Sequence, residues 1–170
     1  MKKTKIAIIV LLTLCVILVL TAVMIIRNVP RNGSLKFAIF SKIEEMSALE
    51  EHSISNEIPK IDRRLNGFTI KESWERVICV ENAKCTVRAY VFETREDASS
   101  YYKKVSNRTK INEGANGSAS AGFLFGGAEY VTFNNENVLV IKGKNIADIN
   151  KVLDVFIEAN PNALIPFSKE

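Results

Sequence analysis

Two cysteines close together are the residues of this sequence whose type and spacing point most directly to chemistry. Cys79 and Cys85 lie six positions apart, and the polar stretch Glu-Asn-Ala-Lys separates them. Such a pair can form a disulfide, act in redox catalysis, bind a metal, or consist of two unrelated free thiols in the core. Redox catalysis generally uses C-x-x-C, and zinc needs three or four protein ligands. The single histidine, His52, lies in a separate connector, so we expect neither a metal site nor a cofactor.

Acidic residues occur in close pairs, which is the second arrangement with chemical capacity. Hydrolysis of a glycosidic bond uses two carboxyl groups about 5–10 Å apart across a cleft. The acids here occupy positions typical of solvated faces and of the first turns of helices. We therefore expect no catalytic residue and a non-enzymatic protein. The alternative is a small envelope hydrolase or transferase that uses one of these pairs: Glu44 with Glu45, Glu72 with Glu75, or Glu93 with Glu96 and Asp97.

An aromatic stretch beside two glycines is the third candidate. In an extended strand Phe123 and Phe125 would share one face, and Gly126–Gly127 would mark a bulge or a close backbone approach. Tyr130 could change face across that bulge. Phe123, Phe125 and Tyr130 then form either a ligand or partner surface or a set of core aromatics next to a bend, and both interpretations remain open.

The N-terminus predicts where these residues act. Residues 6–26 contain no charge, and a helix of that length spans about 30 Å, the thickness of the hydrocarbon core. Cleaved signal peptides have shorter apolar regions and a small-x-small cleavage site. An uncleaved anchor is therefore predicted, with a cleaved signal and lipid attachment at Cys15 as the alternatives.

Charge sets the predicted orientation and excludes one class of partner. Lys2, Lys3 and Lys5 precede the apolar run and only Arg27 follows it, which keeps the N-terminus in the cytoplasm. Four of the 23 basic residues lie in the first 27 positions, which contain no acid, so the other 19 equal the 19 acidic residues. No basic face for nucleic acid is expected. The short basic start is typical of a bacterial membrane protein, and we predict a single-pass protein of the cell membrane.

The remaining chain alternates between helical and strand patterns. Apolar residues at steps of three and four predict a membrane-proximal helix over 35–51. This helix either packs on the following domain or pairs with another chain as a stalk. Packing is favoured because so short a helix is only marginally stable alone. Two hairpins follow, each with a helix after it, and a polar loop over 108–122 separates them. Thr94 and Asn145 are the predicted N-caps of those helices.

This order predicts an α+β fold: a small antiparallel sheet with helices on one face, built as a helix followed by two strand–strand–helix units. The predicted organisation along the chain is a cytoplasmic tail at 1–5, the anchor at 6–26, a linker at 27–34, the helix at 35–51, a connector at 52–66 and the extracytoplasmic domain at 67–170.

Location then decides between the roles of the two cysteines. Thiols outside the cytoplasm tend to be oxidised, and a three-residue loop centred on Asn82 would place Cys79 opposite Cys85, whereas a two-residue turn would offset them. A structural disulfide between Cys79 and Cys85 is predicted. The functional expectation is a membrane-anchored binding module that engages an envelope protein, a peptide or a surface polymer, with the membrane as its other partner through residues 6–26.

Overall fold

The computed structural model describes residues 10–22, 36–52, 55–106, 110–114, 117–122 and 127–163. The chain divides into two compact units, Met1–Arg31 and Asn32–Glu170. In the first unit, residues 10–22 form a helix, α1, and all of its described residues are exposed. No helix within the described ranges is both long enough and apolar enough to cross a bilayer. Residues 6–9 and 23–26 of the predicted anchor lie outside those ranges.

The described residues of the second unit form six strands and three α-helices. The strands are β1 (Ile70–Val80), β2 (Ala83–Phe92), β3 (Lys110–Gly114), β4 (Gly117–Gly122), β5 (Gly127–Asn134) and β6 (Asn137–Gly143). The helices are α2 (Ser47–Glu50), which continues a 3-10 turn at Ile43–Met46, α3 (Arg95–Ser106) and α4 (Ile146–Ala159). Further 3-10 turns occur at Arg63–Leu65 and Pro161–Ala163.

The strands form one antiparallel sheet in the order β1-β2-β6-β5-β4-β3. The α+β class is confirmed. Both predicted hairpins are present, and each closes through a two-residue turn, Glu81–Asn82 and Asn135–Glu136. Both predicted caps are confirmed: the Thr94 hydroxyl accepts from the Asp97 N–H at 3.1 Å, and the Asn145 side chain accepts from the Asp148 N–H at 2.9 Å.

The two long helices cover opposite faces of the sheet, so the prediction of helices on one face is wrong. Along β6, Leu139 and Ile141 pack in the core cluster that contains α4, whereas Val138 and Val140 pack in the cluster that contains α3. All four side chains are fully buried. A strand whose successive residues are all apolar loses much of its stabilisation if one face meets water, and a helix on each face removes both from solvent.

The predicted helix over 35–51 is wrong for its first half. Residues 36–42 are extended, and helical turns begin only at Ile43. Phe37 and Phe40 insert into the α4 side of the core, and the buried Tyr130 hydroxyl accepts from the Ala38 N–H at 2.9 Å and lies 3.3 Å from the Ala38 carbonyl. These contacts replace the backbone hydrogen bonds of a helix. The expectation that this segment packs on the domain is confirmed.

The predicted loop over 108–122 is also wrong, because β3 and β4 occupy most of it. β4 consists of glycine, serine and alanine, which have weak strand propensity. Its backbone pairs with β5 from Gly117↔Thr132 to Gly122↔Gly127. The strand therefore depends on a neighbour that already belongs to the sheet and not on its own side chains.

Candidate functional site

A connector between α2 and β1 forms one wall of the candidate site. At its ends the Cys79 N–H donates to the His52 carbonyl at 3.4 Å and Arg88 Nη2 donates to the Lys60 carbonyl at 2.6 Å. In between, Lys84 Nζ donates to Glu57 Oε1 at 2.6 Å. Between these points, residues 55–59 make no backbone hydrogen bond to any described residue of β1. We call residues 55–61 the arch, since this segment separates from the strand beside it.

The arch and β1 line an open pocket of about 550 Å³. That volume lies within the range of small-ligand sites. The arch contributes most of the lining, β1 contributes Glu75 and Arg76, and the turn after the arch contributes Asp62 and Leu65. The lining therefore combines three apolar residues of the arch, Ile58, Pro59 and Ile61, with polar and charged groups.

Two isoleucines of the arch stand almost completely in solvent. Ile58 is 92% exposed and Ile61 is 88% exposed, on either side of Pro59 and Lys60. Single exposed apolar residues are common on protein surfaces. Both isoleucines line the same pocket, and we call them the apolar rim; a partner bound there would remove them from water.

Arg64 connects the base of the pocket to the sheet. Its Nε and Nη2 donate to the two oxygens of Asp62 at 2.8 and 2.7 Å, and its Nη1 donates to Glu129 Oε1 at 2.7 Å. Lys142 Nζ lies 3.1 Å from Glu129 Oε2. The arch is thus attached to β5 and β6 through a chain of alternating charges that lies on the α3 side of the sheet.

Asp62 is held in its ionised form. Burial alone would raise the pKa of its carboxyl group, but the hydrogen bonds and positive charge of Arg64, together with the Tyr101 hydroxyl, lower the pKa well below its usual value. The Tyr101 hydroxyl donates to Asp62 Oδ2 at 2.9 Å. Burial raises the pKa of Tyr101, and the charge of Asp62 raises it further, so the hydroxyl stays protonated.

Two of the three acids that line the pocket, Asp62 and Glu75, are bound to arginines. Asp62 accepts four hydrogen bonds, three from Arg64 and one from Tyr101. Glu75 Oε2 accepts from Arg88 Nε at 2.8 Å, and Arg88 is itself buried. A general acid at neutral pH needs a raised pKa and a proton to donate. The pKa of Asp62 is shifted in the opposite direction, which disfavours general-acid catalysis by this residue.

The predicted disulfide between Cys79 and Cys85 is not supported. Both residues are free cysteines. The two-residue turn pairs Cys79 with Lys84 and Cys85 with Ile78, so the two thiols lie on opposite faces of the hairpin. Cys85 is buried against α4, and burial raises the pKa of its thiol to about 12. The cysteines consequently give no information about the compartment.

Of the predicted aromatic surface, Tyr130 is the one residue that lies within the described ranges, and its prediction as a surface residue is wrong. Tyr130 is fully buried and packs on Phe37 with ring centroids 5.8 Å apart, so it belongs to the core. Its phenol satisfies the backbone of the 36–42 segment, as described above. Phe123 and Phe125 lie outside the described residues.

The other predicted candidates do not converge on the pocket. His52 contributes its backbone carbonyl to the connector. Glu72 is paired with Val91, and a register shift separates it from Ile70. Within the described ranges no three His, Cys, Asp or Glu side chains are grouped so that they could hold a metal ion.

Sequence reasoning missed the pocket residues Ile58, Ile61 and Asp62, and also Arg64 and Glu129, which connect Asp62 to the sheet. The one local signal was a pair of isoleucines around Pro59 in a mainly polar connector without helical or strand periodicity. The pairing of Arg64 with Glu129 joins positions 65 apart in the sequence, and no local pattern predicts such a contact.

No protein-family model matches the chain, and no curated protein or solved structure shows significant similarity to it. The function is therefore argued from the geometry of the pocket and from the N-terminal segment.

Proposed function

We propose that this protein is a membrane-anchored binding module of the cell envelope. Residues 6–26 anchor it, the N-terminus stays in the cytoplasm, and the α+β domain engages a protein, peptide or surface polymer outside. The observation that carries the proposal is the arch, where two exposed isoleucines border a pocket beside an edge strand.

The apolar rim supplies the driving force for binding. Complete burial of an isoleucine side chain contributes about 1.5–3 kcal/mol. Because about 1.4 kcal/mol corresponds to a tenfold change in affinity, Ile58 and Ile61 together can provide a substantial part of a micromolar interaction. The chain of charges through Arg64 keeps the arch in place before the partner arrives, which reduces the entropy cost of binding.

The pocket chemistry favours binding over hydrolysis. Asp62 and Glu75 each pair with an arginine, and these bonds would have to break before either carboxylate reached a substrate. Binding needs no such rearrangement, because the apolar rim is already exposed.

The helix α1 supports the membrane part of the proposal. Its residues 10–22 are apolar apart from two threonines and a cysteine, and every described side chain in it is exposed. Apolar side chains around the whole circumference of a helix are typical of a segment surrounded by lipid or by other apolar chains. The lysines at positions 2, 3 and 5 favour a cytoplasmic N-terminus.

Site-specific photo-cross-linking tests this function. The full-length chain would carry benzoylphenylalanine in place of Ile61, or in place of the exposed Glu96 on α3 as a control, and would be irradiated in intact cells of its natural host. We expect a defined adduct from position 61 and none from position 96. Equal, diffuse labelling from both positions would contradict a binding role for the arch.

A further inference from the structure

The outer edge of β1 has hydrogen-bonding groups that are directed away from the sheet. β1 is the first strand of the sheet, and among the described strands it pairs with β2 alone. Because Val80 pairs with Ala83 across a two-residue turn, backbone groups at even positions bond to β2 and those at odd positions face outward. The bond from the Cys79 N–H to His52 fits this alternation.

Ser73 and Glu75 are two of the outward-facing positions of β1, and Glu75 lines the pocket together with the arch. The Glu75 carbonyl accepts from Arg76 Nη1 at 2.8 Å, so a side-chain donor occupies the place where the N–H of an added strand would lie. Within the described ranges, no backbone group bonds to the outward side of Ser73 or Glu75. Equivalent groups on the two residues repeat at about 6.6–6.8 Å, the two-residue spacing of a strand.

We infer that the partner of this site is an extended peptide that adds to the edge of β1 at Ser73 and Glu75, beneath the arch. The inference rests on the proposed binding function and specifies its ligand class. An extended backbone presents donors and acceptors at the spacing of the β1 edge. Alternate side chains of the peptide point to opposite faces, and we expect those on the arch side to be apolar and to contact Ile58 and Ile61.

A peptide ligand explains the separation of the arch from β1 better than a polysaccharide does. The connector bonds to β1 at Cys79, whereas residues 55–59 line a pocket with Glu75 and Arg76 and make no backbone hydrogen bond to the described residues of β1. An unpaired strand edge is a site for another strand. A sugar chain would not repeat amide donors and acceptors at the strand spacing.

Substitution of Ser73 tests the inference in the folded protein. Proline removes the outward N–H of Ser73 without removing a bond of the β1–β2 ladder, and proline is tolerated at edge positions of this kind. Ser73→Ala is the matched control, because it removes the hydroxyl and keeps the N–H. The probe is a display library of random ten-residue peptides selected on the full-length protein in detergent micelles.

We expect peptides with apolar residues at alternate positions to be enriched, and Ser73→Pro to weaken their binding about tenfold or more while Ser73→Ala leaves it unchanged. Equal binding by the two variants would overturn the inference. Circular dichroism of each variant establishes that it has folded.

N-methylation of the selected peptide provides a readout that needs no protein variant. An added strand uses the N–H of every second residue, so methylation should weaken binding at alternate positions only. Uniform tolerance of methylation would overturn the strand-addition inference. If position 61 cross-links to a partner in cells but no peptide is enriched, the inference fails and the binding function stands; if neither occurs, both fail.

Discussion

At the residue scale, Arg64 determines whether the arch stays in place. It bonds to Asp62 next to the arch and to Glu129 on β5, and its own carbonyl accepts from Lys104 Nζ at 2.9 Å. Loss of one partner of a buried ion pair leaves the other charge without compensation, which is far more costly than loss of an exposed pair.

Asp62→Asn should destabilise the domain by about 2–4 kcal/mol, because Arg64 keeps only Glu129 as an anionic partner. Urea unfolding of the full-length protein in micelles measures this change. Tyr101→Phe is the control: it removes one hydrogen bond to Asp62, keeps the aromatic packing on Phe92, and should cost about 1–2 kcal/mol. A loss for Asp62→Asn no larger than that for Tyr101→Phe would contradict the role of the ion pair.

The same carboxylate makes a specific contribution to acid sensitivity. The pKa of Asp62 is lower in the folded protein than in the unfolded chain, so its stabilisation is complete above about pH 4, the usual pKa of an aspartate, and declines as the pH falls below that value. We expect the wild type to lose stability between about pH 4 and pH 2 more steeply than Asp62→Asn. If the stability of the two proteins falls in parallel as the pH is lowered, the pKa of Asp62 is not lowered by folding.

The two hairpin cysteines should differ in reactivity. Cys79 is partly exposed, whereas Cys85 is buried and the pKa of its thiol is raised to about 12. Iodoacetamide at pH 8 should therefore modify Cys79 well before Cys85, and unfolding without a reductant should make both reactive. Peptide mapping by mass spectrometry measures this. If Cys79 and Cys85 resist alkylation in the unfolded chain until a reductant is added, the two residues form a disulfide after all.

At the element scale, the two hairpin turns differ in how well their first residue suits the left-handed backbone conformation that the turn requires. Glu81 and Asn135 each occupy the first turn position with φ of 52°. Asparagine adopts this left-handed conformation more readily than glutamate. Glu81 also pairs with Lys151, but both side chains are substantially exposed and such pairs contribute little.

Glu81→Asn should therefore stabilise the domain by about 0.5–1 kcal/mol through relief of backbone strain. The midpoint of urea unfolding measures the change, and Lys151→Ala, which removes the ion pair without altering the turn, is the control. A destabilisation equal to that of Lys151→Ala would show that the ion pair outweighs the turn.

The elements that could be predicted are those with their own local signal. β-branched and aromatic runs predict the hairpins, and apolar periodicity with a capping residue predicts α3 and α4. The extended segment 36–42 and strand β4 have no such signal, since Tyr130 stabilises the first and pairing with β5 stabilises the second. The pocket was not predicted for the same reason: its contacts join the connector to β1, α3 and β5, which are distant in sequence.

At the scale of the whole molecule, the sheet is covered by α4 on one face and by α3 on the other, and the arch crosses its β1 edge. This arrangement leaves one edge of a well-packed domain next to an apolar rim. We expect function to be concentrated there, because each long helix already has a packed sheet face beneath it.

The proposed membrane topology makes a separate prediction. A protease added to intact spheroplasts should remove an epitope fused after Glu170, whereas a cytoplasmic control protein should remain intact until the cells are lysed. The uncharged run 6–26 and the lysines before it are the physical basis. Protection of the epitope in intact spheroplasts would place the domain in the cytoplasm.

The most direct test of the central claim is the yield of the adduct formed from benzoylphenylalanine at position 61 in living cells, measured with and without Ile58→Asp. A charge in the apolar rim should reduce the yield about tenfold, because burial of Ile58 contributes at least 1.5 kcal/mol to binding. Ser100→Asp places the same charge at an exposed position on α3 and should leave the yield unchanged. An equal yield in all three backgrounds would contradict the claim that the arch is the binding site.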